Sequence, residues 1–165
     1  MSLAGKLIAF VGKQSARRFD AATRDPLRTQ TELLLGMVRN NADTEYGRRY
    51  GFASIDSIAD YQKQVPVITY ADIERDMERV VAGEKNIFTA EDPVMFAQTS
   101  GTTGKPKFIP VTPTDQGRAH KDQMRTWLYH AQKAHPGILD HKVVSMVSPA
   151  IEGHTSSGLP YGSTS

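Results

Sequence analysis

Apolar positions along this chain fall first on a helical period and later in short runs. Leu3, Leu7, Phe10 and Val11 recur at i, i+4, i+7 and i+8, one face of an amphipathic helix. Asp25-Pro26 supplies an N-cap and a proline at the first helical position. Leu33, Leu34, Met37 and Val38 then give an apolar face, and Asn40-Asn41 ends that helix. Asp43 to Phe52 reads as turn, and Ile55 to Gln64 as a short helix stopped by Pro66. Thr69 and Asp72 form a capping-box-like pair before Ile73, Met77 and Val80, with Gly83 suited to the C′ position. The charges of Glu74, Arg75, Asp76, Glu78 and Arg79 are expected on a solvated face.

After Pro93 the texture changes. Val94-Met95-Phe96-Ala97 predicts a strand, and Phe108-Ile109-Pro110-Val111 a second one that its proline confines to an edge or an irregular path. Thr112-Pro113 with Asp115 opens another helix, running to about Ala134. Met124, Trp127, Leu128 and Ala131 share one of its faces, and Trp127 is expected in the core. Lys142 to Val147 is a third strand candidate, and Ser148 to Ser165 shows no periodicity. The fold class is α/β: a mainly helical layer over 1–90, then strand–loop–strand–helix–strand over 91–165. A sheet begun in this way reads as the first part of a larger domain. The alternative is a small complete domain with a flexible tail.

Composition narrows the function classes. The net charge is +2, so nothing global demands nucleic acid or an anionic membrane. There is no cysteine, which excludes disulfides and thiol catalysis. No apolar run approaches the roughly 18 residues of a membrane span. Lys6, Lys13, Arg17 and Arg18 precede any acid, as in a targeting peptide, but the apolar stretch 7–11 is short and no small-residue cleavage site follows it. A packing helix is the reading taken. The five histidines, His120, His130, His135, His141 and His154, show no metal-ligand spacing, so no metal site is expected from the protein. Ser156 and Ser157 lack a G-x-S-x-G context.

The densest chemistry lies in Thr99-Ser100-Gly101-Thr102-Thr103-Gly104-Lys105-Pro106-Lys107. Gly101 and Gly104 allow backbone N–H groups to turn toward one concavity. Ser100, Thr102 and Thr103 add hydroxyl donors, and Lys105 and Lys107 add charge. A polyphosphate needs all three. The string is not a Walker A loop: two residues, not four, separate the glycines, and Pro106 follows Lys105. Nor is it a dinucleotide fingerprint. By composition alone it is equally a plain loop.

As an ordered string it resembles the phosphate loop of the adenylate-forming superfamily, which includes acyl-CoA synthetases, luciferases and peptide-synthetase adenylation domains. Phe108-Ile109-Pro110 after the last lysine looks instead like the auxin-responsive acyl acid amido synthetase family. Thr44-x-Tyr46-Gly47-Arg48, Tyr61-Gln62, Val65-Pro66-Val67, Tyr70-x-Asp72-Ile73, Gly83-Glu84, Asn86-Ile87 and Gly158-Leu159-Pro160-x-Gly162 occur in that family's order. One departure stands out. Plant members usually carry Ser-Ala-Gly-Glu-Arg where this chain has Thr103-Gly104-Lys105-Pro106, so plant-hormone substrates do not follow from the likeness.

The resemblance implies the first portion of an adenylate-forming N-terminal domain. It implies a two-step reaction in which ATP adenylates a small carboxylic acid and an amine or amino acid then displaces AMP. ATP and Mg2+ are the implied cofactors, and the cytoplasm the implied location. Lys107 is the implied catalytic charge, with Thr99, Ser100, Gly101, Thr102, Thr103 and Gly104 completing the phosphate site. Lys105 sits at the variable position and is expected in solvent, while Glu152-Gly153-His154-Thr155 either lines an acyl pocket or is only loop. No segment resembles the family's adenine-contacting or ribose-binding motifs or its mobile C-terminal domain, so the 165 residues alone are not expected to adenylate. An acyl-CoA ligase of the same superfamily and a non-catalytic nucleotide- or partner-binding domain are the alternatives.

Overall fold

The computed structural model describes residues 3–99, 106–116, 120–138, 140, 142, 144 and 146–164, with only the backbone of residues 3 and 4. These residues divide into two units: residues up to 29 with 114–146, and residues 30–113 with those from 147 onward. Among them no helix is long and apolar enough to cross a membrane.

The first unit is built on α1 (Leu3–Ala22) packed against α6 (His120–Ala134). The buried face of α1 is not the one expected from its large apolar residues. Leu7, Phe10 and Val11 are exposed, while Gly5, Gly12, Ser15 and Ala16 are buried. The reason is close approach. A Cβ on Gly12 would lie 2.7 Å from the Arg125 carbonyl oxygen and 2.9 Å from Tyr129 Cβ. Only small side chains fit such a crossing, so this stripe, rather than the bulky one, takes the contact. Ser15 Oγ adds a 3.0 Å hydrogen bond to Asp122 Oδ1.

On α6 the same logic displaces the expected core. Trp127 is 64% exposed and lines an open groove with Phe19 and Ala22, while Gln132 is buried with no hydrogen-bond partner for its amide among the described residues. Residues 113–116 already turn helically, as Thr112-Pro113 predicts. Gly12→Leu is expected to cost about 1–3 kcal/mol by overpacking, even though leucine is the better helix former. Trp127, the single tryptophan, reports the change as a lower urea midpoint in its fluorescence. An unchanged midpoint would show that α1 and α6 do not rely on this contact.

The second unit begins in α2 (Pro26–Asn40), which Pro26 and Asn40 bound as the sequence predicts. Val38 carries its buried face. It packs with Phe52 and Ile55, and Leu34, Leu35, Tyr46 and Tyr61 gather around them. Leu33 and Met37, expected on the same face, stay exposed. The presumed turn at 43–52 holds a one-turn helix, α3 (Glu45–Arg49), and a 3-10 turn at Phe52–Ser54. A short helix follows as α4 (Ile58–Gln64), capped by Ser57. Thr69 and Asp72 cap α5 (Tyr70–Val81): the Thr69 N–H donates to the Asp72 carboxylate at 2.7 Å. At the other end Gly83 takes φ +100°, and the Gly83 and Glu84 N–H groups donate to the Val80 and Arg79 carbonyls. This is a Schellman closure, and the positive φ is why a glycine stands there.

Segments 44–48 and 83–87 dock on one another. The first two N–H groups of α3, from Glu45 and Tyr46, donate to the carbonyls of Asn86 and Ile87 at 2.9 Å each. Thr44, fully buried, accepts from the Gly47 N–H and donates to the Asn41 carbonyl. Asn86 holds φ 60° and its side-chain amide donates to the Asp43 carbonyl. Burial pushes the Tyr46 phenol up from its ordinary pKa, so the ring stays neutral inside its aromatic cluster with Tyr50, Phe52 and Phe88.

The charges of α5 are not merely solvated. Arg79 bonds to Glu84, Glu45 and Asp76, and Arg49 bonds to Asp76 and Glu45. Hydrogen bonds from Arg79 hold Glu45 and Glu84 below the usual carboxylate range, and Arg49 does the same for Asp76. A carboxylate whose pKa is lower folded than unfolded stabilises the fold above its unfolded pKa and stops doing so as pH falls through the folded one. Urea midpoints are therefore expected to fall between about pH 5 and pH 3. Arg79→Met should flatten that fall without abolishing it, because Asp60 and Asp72 are lowered separately by their cap hydrogen bonds. An equally steep fall in the variant would place the acid sensitivity elsewhere.

The sheet has the order β2-β1-β4-β3. β1 (Met95–Gln98) pairs antiparallel with β2 (Phe108–Val111), the edge strand that Pro110 predicts. Its other side pairs in parallel with β4 (Pro160–Gly162), with Phe96 opposite Tyr161. β3 (Gly153–His154) closes the far edge. Phe96, fully buried, packs with Met77, Val80 and Ile87, flanked by Ile73, Phe108, Leu159 and Tyr161.

Two expectations fail here. Lys142 to Val147 is not strand at its described residues, and Val144, Met146 and Val147 are exposed. The place beside β1 belongs instead to Pro160–Gly162, whose Tyr161 brings an aromatic ring onto Phe108. Gly153-His154, weighed as loop, is strand β3.

Candidate functional site

The connection between β1 and β2 is closed at its base by two hydrogen bonds. The Thr99 N–H donates to the Lys107 carbonyl at 3.0 Å, and the Lys107 N–H donates to Thr99 Oγ1 at 3.1 Å. The antiparallel register of β1 and β2 forces this closure, since Gln98 already faces Phe108. Thr99 and Lys107 thus stand side by side at the two ends of the Gly/Thr string. Ser100, Gly101, Thr102, Thr103, Gly104 and Lys105 lie outside the described residues.

Lys107 is exposed. Its ammonium sits 5.3 Å from the centroid of the Tyr70 ring, and no carboxylate among the described residues lies within ion-pair distance. The Tyr70 hydroxyl accepts from the Phe108 N–H at 3.3 Å. Phe108 in turn meets Phe96 and Tyr161 edge-on, with centroids 5.9 and 5.2 Å away. The exit of the loop is therefore anchored twice, in the sheet core through Phe108 and on the first residue of α5 through Tyr70. An exposed ammonium with no carboxylate partner among the described residues, at the end of the Gly/Thr string, is suited to attract an anion.

The sequence pointed to Thr99 and Lys107 but not to Tyr70. Tyr70 carries part of the family resemblance, in Tyr70-x-Asp72-Ile73, and directly follows the Thr69 cap, but neither signal says what lies over its ring.

The profile of the GH3 family N-terminal domain matches residues 15–165, so the chain belongs to the GH3 family. It is 33% identical over 100 residues to the jasmonoyl–L-amino acid synthetase GH3.5 of Oryza sativa subsp. japonica, covering 59% of this chain and 17% of the relative. It is 27% identical over 150 residues to the probable indole-3-acetic acid-amido synthetase GH3.1 of Arabidopsis thaliana, covering 89% of this chain and 25% of the relative. Among solved structures, the AtGH3.15 acyl acid amido synthetase in complex with 2,4-DB superposes with a TM-score of 0.73 at 27% identity, covering 81% of this chain and 24% of that one. The chain thus spans a quarter or less of the length of these relatives.

Proposed function

We infer that this chain carries the phosphate-loop part of an ATP-dependent acyl acid amido synthetase. The observation that carries the reading is the Thr99–Lys107 string, closed at its base by Thr99 and Lys107 and ending in an exposed ammonium with no carboxylate partner among the described residues. The amido synthetase names of the relatives support it.

The carboxylate of a small acid attacks the α-phosphorus of ATP. The bond from that phosphorus to the bridging oxygen breaks, and pyrophosphate leaves with its charge increased. Lys107 and the hydroxyls of Ser100, Thr102 and Thr103 stabilise that charge, while Gly101 and Gly104 let backbone N–H groups face it. Thr99 holds the strand ends together, so that these donors stay in place during the reaction. Mg2+ bound with the nucleotide would share the phosphate charge, a contribution added to that of Lys107. An amino acid amine then attacks the acyl carbon and AMP departs, leaving an amide. A cytoplasmic location is part of the same proposal.

The test uses the full-length protein. Acid-dependent ATP–pyrophosphate exchange, followed by amide formation when amino acids are supplied, is the expected result. Thioester formation with CoA instead would identify an acyl-CoA ligase. Absence of acid-dependent exchange across a panel of aryl and alkyl acids would reduce the chain to a binding domain.

A further inference from the structure

We propose that Tyr70 is a positioning residue for Lys107, holding its ammonium at the mouth of the loop between turnovers. The inference rests on the phosphate-loop reading above. Three observations meet at this side chain. Its ring lies under the Lys107 ammonium at 5.3 Å. Its hydroxyl accepts the N–H of Phe108, the residue directly after Lys107. Its backbone is fixed by the capping pair Thr69 and Asp72, since Tyr70 is the first residue of α5.

A lysine in water samples many rotamers, and a phosphate must select one of them. A ring face attracts the ammonium without neutralising it, so the charge stays available to an incoming anion. A carboxylate in the same place would hold the lysine more strongly but would compete with the phosphate and cancel its field. The hydroxyl acts on the backbone side of the same residue, pinning the start of β2. Ring and hydroxyl therefore do separable work, and Tyr70→Phe and Tyr70→Leu divide it.

The first test is structural and needs no activity. In the full-length protein with labelled lysines, one set of side-chain methylene resonances should be shifted upfield by the ring and should vanish in Lys107→Ala. Tyr70→Phe should keep the shift and Tyr70→Leu should abolish it. Lysine resonances that do not respond to Tyr70→Leu overturn the proposal.

The second test uses the full-length enzyme. Tyr70→Leu should lower kcat for ATP–pyrophosphate exchange by about three- to tenfold with KM for the acid unchanged. Tyr70→Phe should recover most of that loss. In a Lys107→Ala background Tyr70→Leu should be no slower than Tyr70→Phe, whereas a ring that acts only through packing would keep the difference between the two variants. A slow Lys107→Ala enzyme beside an unaffected Tyr70→Leu enzyme overturns the role of Tyr70 alone. An unaffected Lys107→Ala enzyme overturns the phosphate-loop reading, and with it this proposal, whatever the resonances show.

Discussion

Lys107→Ala in the full-length enzyme is expected to slow acid-dependent ATP–pyrophosphate exchange by about 100- to 1,000-fold. The size follows from where the charge acts. Lys107 is exposed and without an internal counter-ion among the described residues, so it does not contribute to folding through an ion pair. On the proposed mechanism its charge would bear on the leaving pyrophosphate, which gains charge only as the reaction proceeds. A group of that kind lowers kcat when removed and leaves acid binding nearly intact. Lys107→Arg should restore part of the rate, because guanidinium also binds phosphate, although its planar fork does not fit a point-charge seat. The urea midpoint of Lys107→Ala should match wild type. A variant with normal kcat would remove Lys107 from the chemistry, and one with a lowered midpoint would give it a structural role instead.

The largest expected effect on stability comes from Gly47→Ala. A Cβ at this position would fall 2.0 Å from the Asn41 carbonyl oxygen and 2.8 Å from that of Ala42. Both are backbone atoms, so nothing flexible can give way. Relief requires α3 to move, which breaks the Thr44 cap and the two bonds from Glu45 and Tyr46 to residues 86 and 87. The expected loss is about 3 kcal/mol or more. Gly36 in α2 provides the contrast, since a Cβ there meets nothing within 4 Å. Gly36→Ala should stabilise by about 0.5–1 kcal/mol, because glycine is a poor residue inside a helix. The two substitutions, followed by urea denaturation with circular dichroism, should move the midpoint in opposite directions. Shifts of the same sign would mean that helix propensity, not the approach of the 41–42 carbonyls, governs position 47.

Elements with local punctuation were legible in the sequence. Asp25-Pro26, the Thr69–Asp72 pair, Gly83 and Pro110 each name a boundary by a property of a few adjacent residues, and each stands where it was read. What escaped depends on contacts far apart in sequence. Leu7, Phe10 and Trp127 look like core by size, yet the crossing of α1 and α6 selects Gly12 and Ser15 by their smallness. Val144 and Met146 look like a strand by composition, yet β4 takes the place beside β1. At the loop, the sequence singled out Thr99 and Lys107 as candidates, and the structure sets them side by side. Tyr70 was not singled out, because it comes 37 positions earlier than Lys107 and only the fold brings the two together. Some residues that carry the family resemblance turn out to be joints: Thr44, Tyr46, Gly47, Asn86 and Ile87 hold two segments to one another and touch no reacting group in the chemistry proposed here.

The parallel pairing of β1 with β4 has a consequence for the order in which the protein is made. β1 and β2 are neighbours in sequence and can zip together as soon as Val111 has left the ribosome. Phe96 and Tyr161, by contrast, are 65 positions apart. Their contact must await the synthesis of Gly162, several seconds later at ordinary elongation rates. During that interval one edge of β1 is open, and the aromatic face of Phe108 lacks the ring that will cover it. The nascent chain therefore passes through a stage in which its half-built sheet offers chaperones a binding edge, and a pause in translation beyond residue 111 would prolong that stage.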